Sequence, residues 1–415
     1  MHISFFSTYD NVGGAAIAAR RLFDGLRDKG IDADLYSQRI KTKVASLASP
    51  IPVFDNRWLI ARMYLDRLPL YLYRNRRNEI FCPAWLPFGI RKELIEERNQ
   101  IVHLHWITYG FINIKTIQRF MAPIVWTMHD MWPFTGGCHY DAGCERFNSI
   151  CGNCPTLGST VEHDLSNKVF LQKNKYWKDL NLTLVSPSRW LADCASRSTL
   201  LGRYRVEVIP NGIDVKKYHP IGKIAARRKL GLPVDKRLVL YGALMATGDI
   251  RKGFKFLDSA IKMMEGSALS EQIEMVIYGS ENEPRSFSKN IKKHYMGKIS
   301  DEEKLIFLYS AADVFVAPSL QDNLPNTIME ALACGTPCVA FNIGGIPDMI
   351  EHKKTGYLVQ PYCPEDLMNG IKWVLSDDMR MKRLAESARK KVLKEFDIKL
   401  VAKKYVDLYR EIITQ

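Results

Sequence analysis

The sequence predicts an α/β chain built from two doubly wound parallel sheets, and three observations predict it. Short apolar runs of the kind buried in parallel sheets alternate with segments of helical spacing. The alternation stops near "VEVIPNGID" (Val206–Asp214) and then begins again. The length, 415 residues, exceeds one ordinary core and suits two.

Taken in order, "HISFFST" (His2–Thr8) reads as a strand and "YDNVGG" as a turn. "AAIAARRLFDGLRDKG" has helical spacing of Ala, Leu and Phe, with a stop at Gly30. "DADLYSQ" (Asp32–Gln38), Ile101–Trp106, Pro123–Asp130 and Leu182–Ser188 are further strands. After the restart come Arg237–Ala243, Glu274–Ser280, Asp313–Ser319 and Pro337–Asn342, separated by helical segments such as "KGFKFLDSAIKMM" and "DEEKLIFLYSAA". The division expected is a first Rossmann-like domain over 1–207 and a second over 208–395. An amphipathic last helix, 396–415, packs back on the first. Two such domains facing each other enclose a cleft lined by strand carboxyl ends, where open α/β sheets bind ligands.

Hydrophobic residues make up 47% and charged residues 25%, a globular composition. No apolar run approaches the ~18 residues of a membrane span. The start lacks a basic region followed by an apolar one, which predicts a cytoplasmic protein with its nine Cys reduced. The net charge of +14 implies anionic company: nucleic acid, phosphorylated small molecules or an acidic membrane face. No nucleic-acid module is recognisable and the basic residues are dispersed, so nucleic acid is not the expected partner.

"QDNLPNTIMEALACGTP" (Gln321–Pro337) carries the clearest chemistry. Pro325 fits the first position of a helix and Gly335 the residue just past its end, giving a helix over Pro325–Cys334 directly after a strand. Such a helix N-terminus offers free N–H groups to a phosphate. Glu330, one turn in, suits a sugar hydroxyl pair, and Asp322 in the preceding loop suits a second polyhydroxyl group. The pattern reads as a nucleotide sugar. A plain strand–helix unit, with an acid favouring the helix dipole, is the other reading.

This stretch resembles the E-x-x-x-x-x-x-x-E region of the retaining glycosyltransferases of family 4, which have the GT-B fold. The likeness continues through "LACGTPCVAFNIGGIPDMIEHKKTGYLV", back through "GKISDEEKLIFLYSAADVFVAPS", and includes "VIPNGIDVKKYHP" and "GGAA" (Gly13–Ala16). The resemblance implies that Glu330 binds the ribose of a nucleoside-diphosphate sugar. The backbone at Asn323, Leu324 and Asn326, with Thr327, would hold sugar and diphosphate. Asp322 stands where the family usually has Glu. Lys252 before Gly253 matches a family Lys, whereas Ala243 stands where an Arg is expected, and Arg251 is the candidate substitute. Two cations there would stabilise the charge growing on a leaving diphosphate; a solvated basic loop is the bland reading. Gly13 and Gly14 would approach the diphosphate or the acceptor. His129, at the end of its strand, would touch the donor sugar, with Asp130 orienting it. His103 and His105 alternate on their strand, so that one would face the cleft. His129, Asp322 and Lys252 are thus the catalytic candidates. The implied reaction proceeds with retention, the leaving phosphate taking the acceptor proton, and needs no catalytic divalent metal. Nucleotide-sugar epimerases share the architecture, but the Asp322–Glu330 region and "NGID" favour transfer.

Two further segments stand out. "RWLIARMYLDRLPLYLYRNRRNE" (Arg57–Glu79) interleaves apolar residues with six Arg, is broken by Pro69, and suits an anionic membrane surface. A lipid-linked glycan acceptor would then be presented on the inner face of a cell membrane, for surface polysaccharide synthesis. A helical hairpin packed on its own domain is the alternative. Finally, Cys138, Cys144, Cys151 and Cys154 lie within "CHYDAGCERFNSICGNC", ending in a C-x-x-C pair. The spacing predicts a structural zinc, with His139 able to replace one sulfur; reduced thiols are the other outcome.

Overall fold

The computed structural model describes residues 1–39, 51–52, 56–87, 90, 95, 100–242, 248–280 and 290–414. The chain forms two compact units, residues 1–210 with 401–415, and residues 211–400.

Among the described residues, the first unit carries strands β1 (His2–Tyr9), β2 (Asp32–Arg39), β3 (Ile51–Pro52), β4 (Ile101–Leu104), β5 (Ile124–Thr127), β6 (Leu182–Ser186) and β7 (Arg205–Val208). They form one parallel sheet in the order β3-β2-β1-β4-β5-β6-β7. Side chains alternate across it as strand geometry demands. Ile124 and Trp126 of β5 enter one apolar cluster, and Val125 enters the other. The second cluster is closed by the helix Gly14–Arg27 and by the last helix, Ile398–Thr414, which buries Val401, Ala402, Tyr405, Leu408 and Tyr409 beside Phe5 and Val185. Arg205 of β7 forks onto Glu411 of that helix at 2.6 and 3.0 Å.

The second unit carries β8 (Arg237–Gly242), β9 (Ile273–Tyr278), β10 (Lys293–Tyr295), β11 (Val314–Ala317), β12 (Cys338–Phe341) and β13 (Gly356–Val359), parallel in the order β10-β9-β8-β11-β12-β13. One face packs on the helices Glu302–Ala311 and Asn326–Ala333, the other on Phe254–Met264 and Pro364–Leu375. Buried Asp313 helps fix the sheet base, taking Arg227 at 2.7 Å and Lys223 at 2.6 Å.

β7, β10 and β13 lie outside the runs read as strands from sequence. They sit at or next to sheet edges and are only partly buried, so they lack the continuous apolar signature of the central strands. Strand order reverses between β1 and β4 in one unit and between β8 and β11 in the other. Ligand crevices of open parallel sheets form at such points, outside the strand carboxyl ends.

Candidate functional site

In the second unit, two loops meet at that reversal. The expected departure at Ala243, after β8, lies outside the described residues. Where the chain resumes, Asp249 caps the turn Ile250–Lys252 by accepting the Arg251 N–H at 2.9 Å. The partner loop, Pro318–Pro325, follows β11. Leu320 N–H donates to Arg251 O at 2.7 Å, joining the two loops through their backbones.

Their charges interlock. The Asp322 carboxylate accepts from Lys252 Nζ at 2.6 Å and lies 3.4 Å from Arg251, which also pairs with Asp249 at 3.2 Å and donates to Gln321 O at 3.0 Å. Ser319 Oγ at 3.3 Å and the Asn323 N–H at 3.1 Å complete the acceptances of Asp322. Burial alone would raise the Asp322 carboxyl, but the Lys252 and Arg251 cations outweigh it and hold the group below its ordinary value. Lys252 moves down, chiefly by burial, against the pull of Asp322. Lys252 and Arg251 are therefore brought together as expected positions, but each already faces a carboxylate.

The helix begins at Asn326 with Pro325 as its N-cap, and ends at Ala333 with Cys334 as C-cap. It is one residue shorter at each end than the spacing predicts. Pro325 has an extended ψ of 121°, so it introduces the helix instead of joining it. Asn323 and Leu324 are buried, while Asn326 and Thr327 are half-buried. Glu330 is buried, and its Oε2 accepts from Tyr309 OH at 2.9 Å. No sequence reading pointed to Tyr309, which comes from a different helix.

In the first unit, Gly13 is the N-cap of the helix Gly14–Arg27, with φ +88° and no side-chain capping bond. His129 follows β5, half-buried, and its Nε2 lies 3.0 Å from Nδ1 of buried His105. This corrects one expectation. His103 and His105 do not split between faces: two residues apart on a strand, they share one, and their rings lie 4.2 Å apart. The charge of Asp130 acts on the His129 ring, but its hydrogen bonds are made elsewhere. Asp130 instead accepts from Trp106 Nε1 at 2.8 Å and the Trp132 N–H at 2.9 Å, and pairs with His139 Nδ1 at 2.6 Å. Burial lowers His129 to about 4 and holds His103 and His105 well below the ordinary imidazole value. His139 goes the other way: burial would lower it, but Asp130 prevails and pushes it up to about 10.

Burial raises the Cys138 thiol, and the neighbouring Cys154, Cys151 and Cys144 add to the rise. Cys138 and Cys154 pack with Leu70, Phe81 and Leu157, and Cys151 Sγ accepts the Gly136 N–H at 3.2 Å. Among the described residues, no group of three or more His, Cys, Asp or Glu is arranged to hold a metal ion. The four cysteines form no disulfide, and His139 Nδ1 pairs with Asp130.

The arginine-rich segment forms the helix Asn56–Asp66 and then a 3-10 turn, Leu68–Leu72, containing Pro69. Tyr64, Leu65, Leu68, Tyr71 and Leu72 are exposed, as are Arg67, Arg74 and Arg77. No described helix is long and apolar enough to cross a membrane.

Both halves of the chain match known families. Residues 12–217 match Glycosyltransferase Family 4, and residues 223–391 match the Glycosyl transferases group 1. The putative colanic acid biosynthesis glycosyl transferase WcaC of Escherichia coli is 28% identical over 266 residues, 60% of this chain and 62% of that protein. A UDP-Gal:alpha-D-GlcNAc-diphosphoundecaprenol alpha-1,3-galactosyltransferase of the same organism is 24% identical, over 50% of this chain and 55% of its own length. The chain thus spans less than two thirds of either relative. In fold, sucrose-phosphate synthase of Thermosynechococcus elongatus superposes with a TM-score of 0.69 at 19% identity, covering 100% of this chain and 99% of that one. Two parallel Rossmann-like units of this kind are the GT-B architecture, and with both halves matched the chain belongs to the family 4, group 1 glycosyltransferases.

Proposed function

We propose that the chain moves a sugar from a nucleoside-diphosphate sugar, with retention at the anomeric carbon, to a glycan or lipid-linked acceptor in cell-surface polysaccharide synthesis. The observation that carries this reading is the convergence at the β8/β11 reversal: two cations, a helix N-terminus and a buried glutamate one turn in. The second unit binds the nucleotide sugar and the first serves the acceptor.

Glu330 takes the ribose hydroxyls. The backbone at Asn323, Leu324 and Asn326, with Thr327, holds the sugar and diphosphate. Lys252 and Arg251 neutralise the diphosphate as the sugar departs, assisted by the helix N–H groups. Because Asp322 already balances Lys252, the net charge at rest is small, and the cations gain most as negative charge grows. Gly13 and Gly14 admit a ligand close to the backbone. His129, half-buried and held neutral by desolvation, offers a hydrogen bond to the donor sugar and not a charge. The leaving phosphate takes the acceptor proton, so positioning and charge stabilisation are the protein's part. The relatives' names support the acceptor class: one belongs to colanic acid biosynthesis and one acts on a diphosphoundecaprenol.

The exposed Tyr64, Leu65, Leu68, Tyr71 and Leu72, with Arg67 among them and Arg74 and Arg77 beyond, rest on the inner face of the membrane that carries the acceptor.

A thermal-shift panel of nucleotide sugars tests the donor. A ligand at 100 times its Kd adds about 2.7 kcal/mol, and Glu330→Ala is expected to cost ~1.5–3 kcal/mol of that binding in calorimetry. Product anomeric configuration by NMR tests retention. Reversing the charge at Arg74, Arg76 and Arg77 is expected to reduce sedimentation with anionic liposomes while sparing donor hydrolysis; equal sedimentation would remove the membrane from the account.

A further inference from the structure

Glu330 has a partner on another helix. Its carboxylate Oε2 accepts from Tyr309 OH at 2.9 Å, and Tyr309 OH lies 2.6 Å from Tyr278 OH. A phenol has one proton. Since Tyr309 gives its proton to the carboxylate, its oxygen accepts from Tyr278, and the two hydroxyls point the same way along the chain toward Glu330.

Each member is anchored from elsewhere in the sheet. Tyr309 lies in the helix Glu302–Ala311, fully buried, with its ring edge-on to Tyr278 and Phe315 at centroid distances of 6.1 and 5.7 Å. Its backbone carbonyl accepts from Thr336 Oγ1 at 2.6 Å, just past the end of Glu330's helix. Tyr278 ends β9, and its ring fills the space beside Gly242 at the end of β8, where an added Cβ would lie 2.1 Å from it. The chain therefore runs from the strand ends at the reversal point to the glutamate. A glutamate side chain has three rotatable bonds, and a buried one that must meet a ribose diol needs them fixed. A carboxylate accepts about four hydrogen bonds, so a bond from Tyr309 does not by itself exclude a ribose hydroxyl.

We propose that Tyr309 is a positioning residue whose hydroxyl, held in turn by Tyr278, sets the Glu330 carboxylate for the ribose of the donor nucleotide. This rests on the reading of Glu330 as the ribose group, and the experiment separates the two. Calorimetric Kd values are measured for UDP, GDP and ADP and for their 2′,3′-dideoxy counterparts, and the ratio of the two Kd values is taken for each base. A loss of stability affects both nucleotides alike and cancels in the ratio, so a merely structural role leaves the ratio unmoved. The wild type is expected to prefer the ribonucleotide by about tenfold or more, and Glu330→Gln to collapse that preference. Tyr309→Phe keeps the ring and both edge contacts, and is expected to cut the preference by about fivefold. Tyr278→Phe leaves the Tyr309 bond in place and is expected to change it by no more than about twofold. If Glu330→Gln retains the preference, the ribose reading itself fails. If Glu330→Gln removes it and Tyr309→Phe does not, the ribose reading stands and the role of Tyr309 is overturned. Failure of every nucleoside diphosphate to bind would overturn both.

Discussion

Two helices in this chain begin in the same way and for different reasons. In each unit the first strand at the reversal point, β1 or β8, is followed in sequence by a helix with a glycine N-cap of positive φ. Neither helix has a side-chain cap or an acid in its first turn. At Gly13, however, a side chain would meet nothing within 4 Å. At Gly253 it would lie 1.8 Å from the carbonyl oxygen of Pro318. One glycine keeps a helix end open. The other lets two loops close on each other and brings Lys252 to Asp322. The chemistry follows the packing: the first unit presents neutral imidazoles backed by a core, and the second a balanced cluster of charges.

The comparison breaks most severely at Gly253→Ala. The added methyl would drive the Pro318–Pro325 loop away and strain a left-handed φ of +69°, costing roughly 3 kcal/mol or more. A clear drop in melting temperature together with loss of nucleotide binding is expected. A stable variant that binds normally would show that the loops can part without consequence.

Next in size is Lys252→Ala. A cation that acts on growing charge should lower kcat by about 10²–10³-fold while KM changes less. The pairing with Asp322 offers a sharper form. If Lys252 serves only to neutralise that buried carboxylate, Lys252→Ala combined with Asp322→Asn should recover the rate; if it serves the diphosphate, the double variant stays slow.

What could be read in advance follows from how local the signal was. Glu330, Lys252 and the helix after β11 sit in one or two short stretches, where the order of Pro, Gly and acids already implies the geometry. The central strands announce themselves as buried runs. The partners of the site residues do not. Tyr309 and Tyr278 reach Glu330 from two other elements. His105 meets His129 because β4 and β5 are paired in register with Leu104 beside Trp126. The cysteine spacing predicts a metal site, but it does not reveal that Cys138 and Cys154 pack with Leu70, Phe81 and Leu157 or that Cys151 takes the Gly136 N–H. Spacing along a chain constrains distance, but which side chains converge is settled by tertiary packing.

The two histidine environments of the first unit give a smaller, pH-dependent effect. His129 has a folded value of about 4 against an ordinary 6.5, so the unfolded chain binds a proton first as pH falls. Stability is lost from about pH 6.5 downward, by about 1–2 kcal/mol by pH 5 from this ring. His139, pushed up to about 10, has the opposite sign: its contribution is full below about pH 6.5 and is lost as pH rises through 10. Denaturant titrations from pH 5 to 10 should show both limbs. His129→Asn should make the acid limb shallower and leave the alkaline limb unchanged, with His103 and His105 supplying the rest of the acid limb; an acid limb unmoved by the substitution would contradict the neutral His129 ring.

The smallest expected change is Gly13→Ala, and it isolates what the open helix end does. The backbone there, φ +88° and ψ 160°, is a region that L side chains avoid, so the substitution costs roughly 1 kcal/mol even with space around it. For a simple turn, that is the whole effect: a modest fall in melting temperature and unchanged kinetics. If the glycine instead admits a ligand to the backbone N–H groups of the helix Gly14–Arg27, the methyl occupies the approach. Transfer then falls by more than the stability loss explains, about tenfold or more. Gly253→Ala fails through its neighbours, whereas Gly13→Ala has no protein neighbour to clash with. A kinetic loss at Gly13 larger than its stability loss therefore points to a bound reactant. Wild-type kinetics in a Gly13→Ala protein of slightly lowered stability would reduce this glycine to a turn residue.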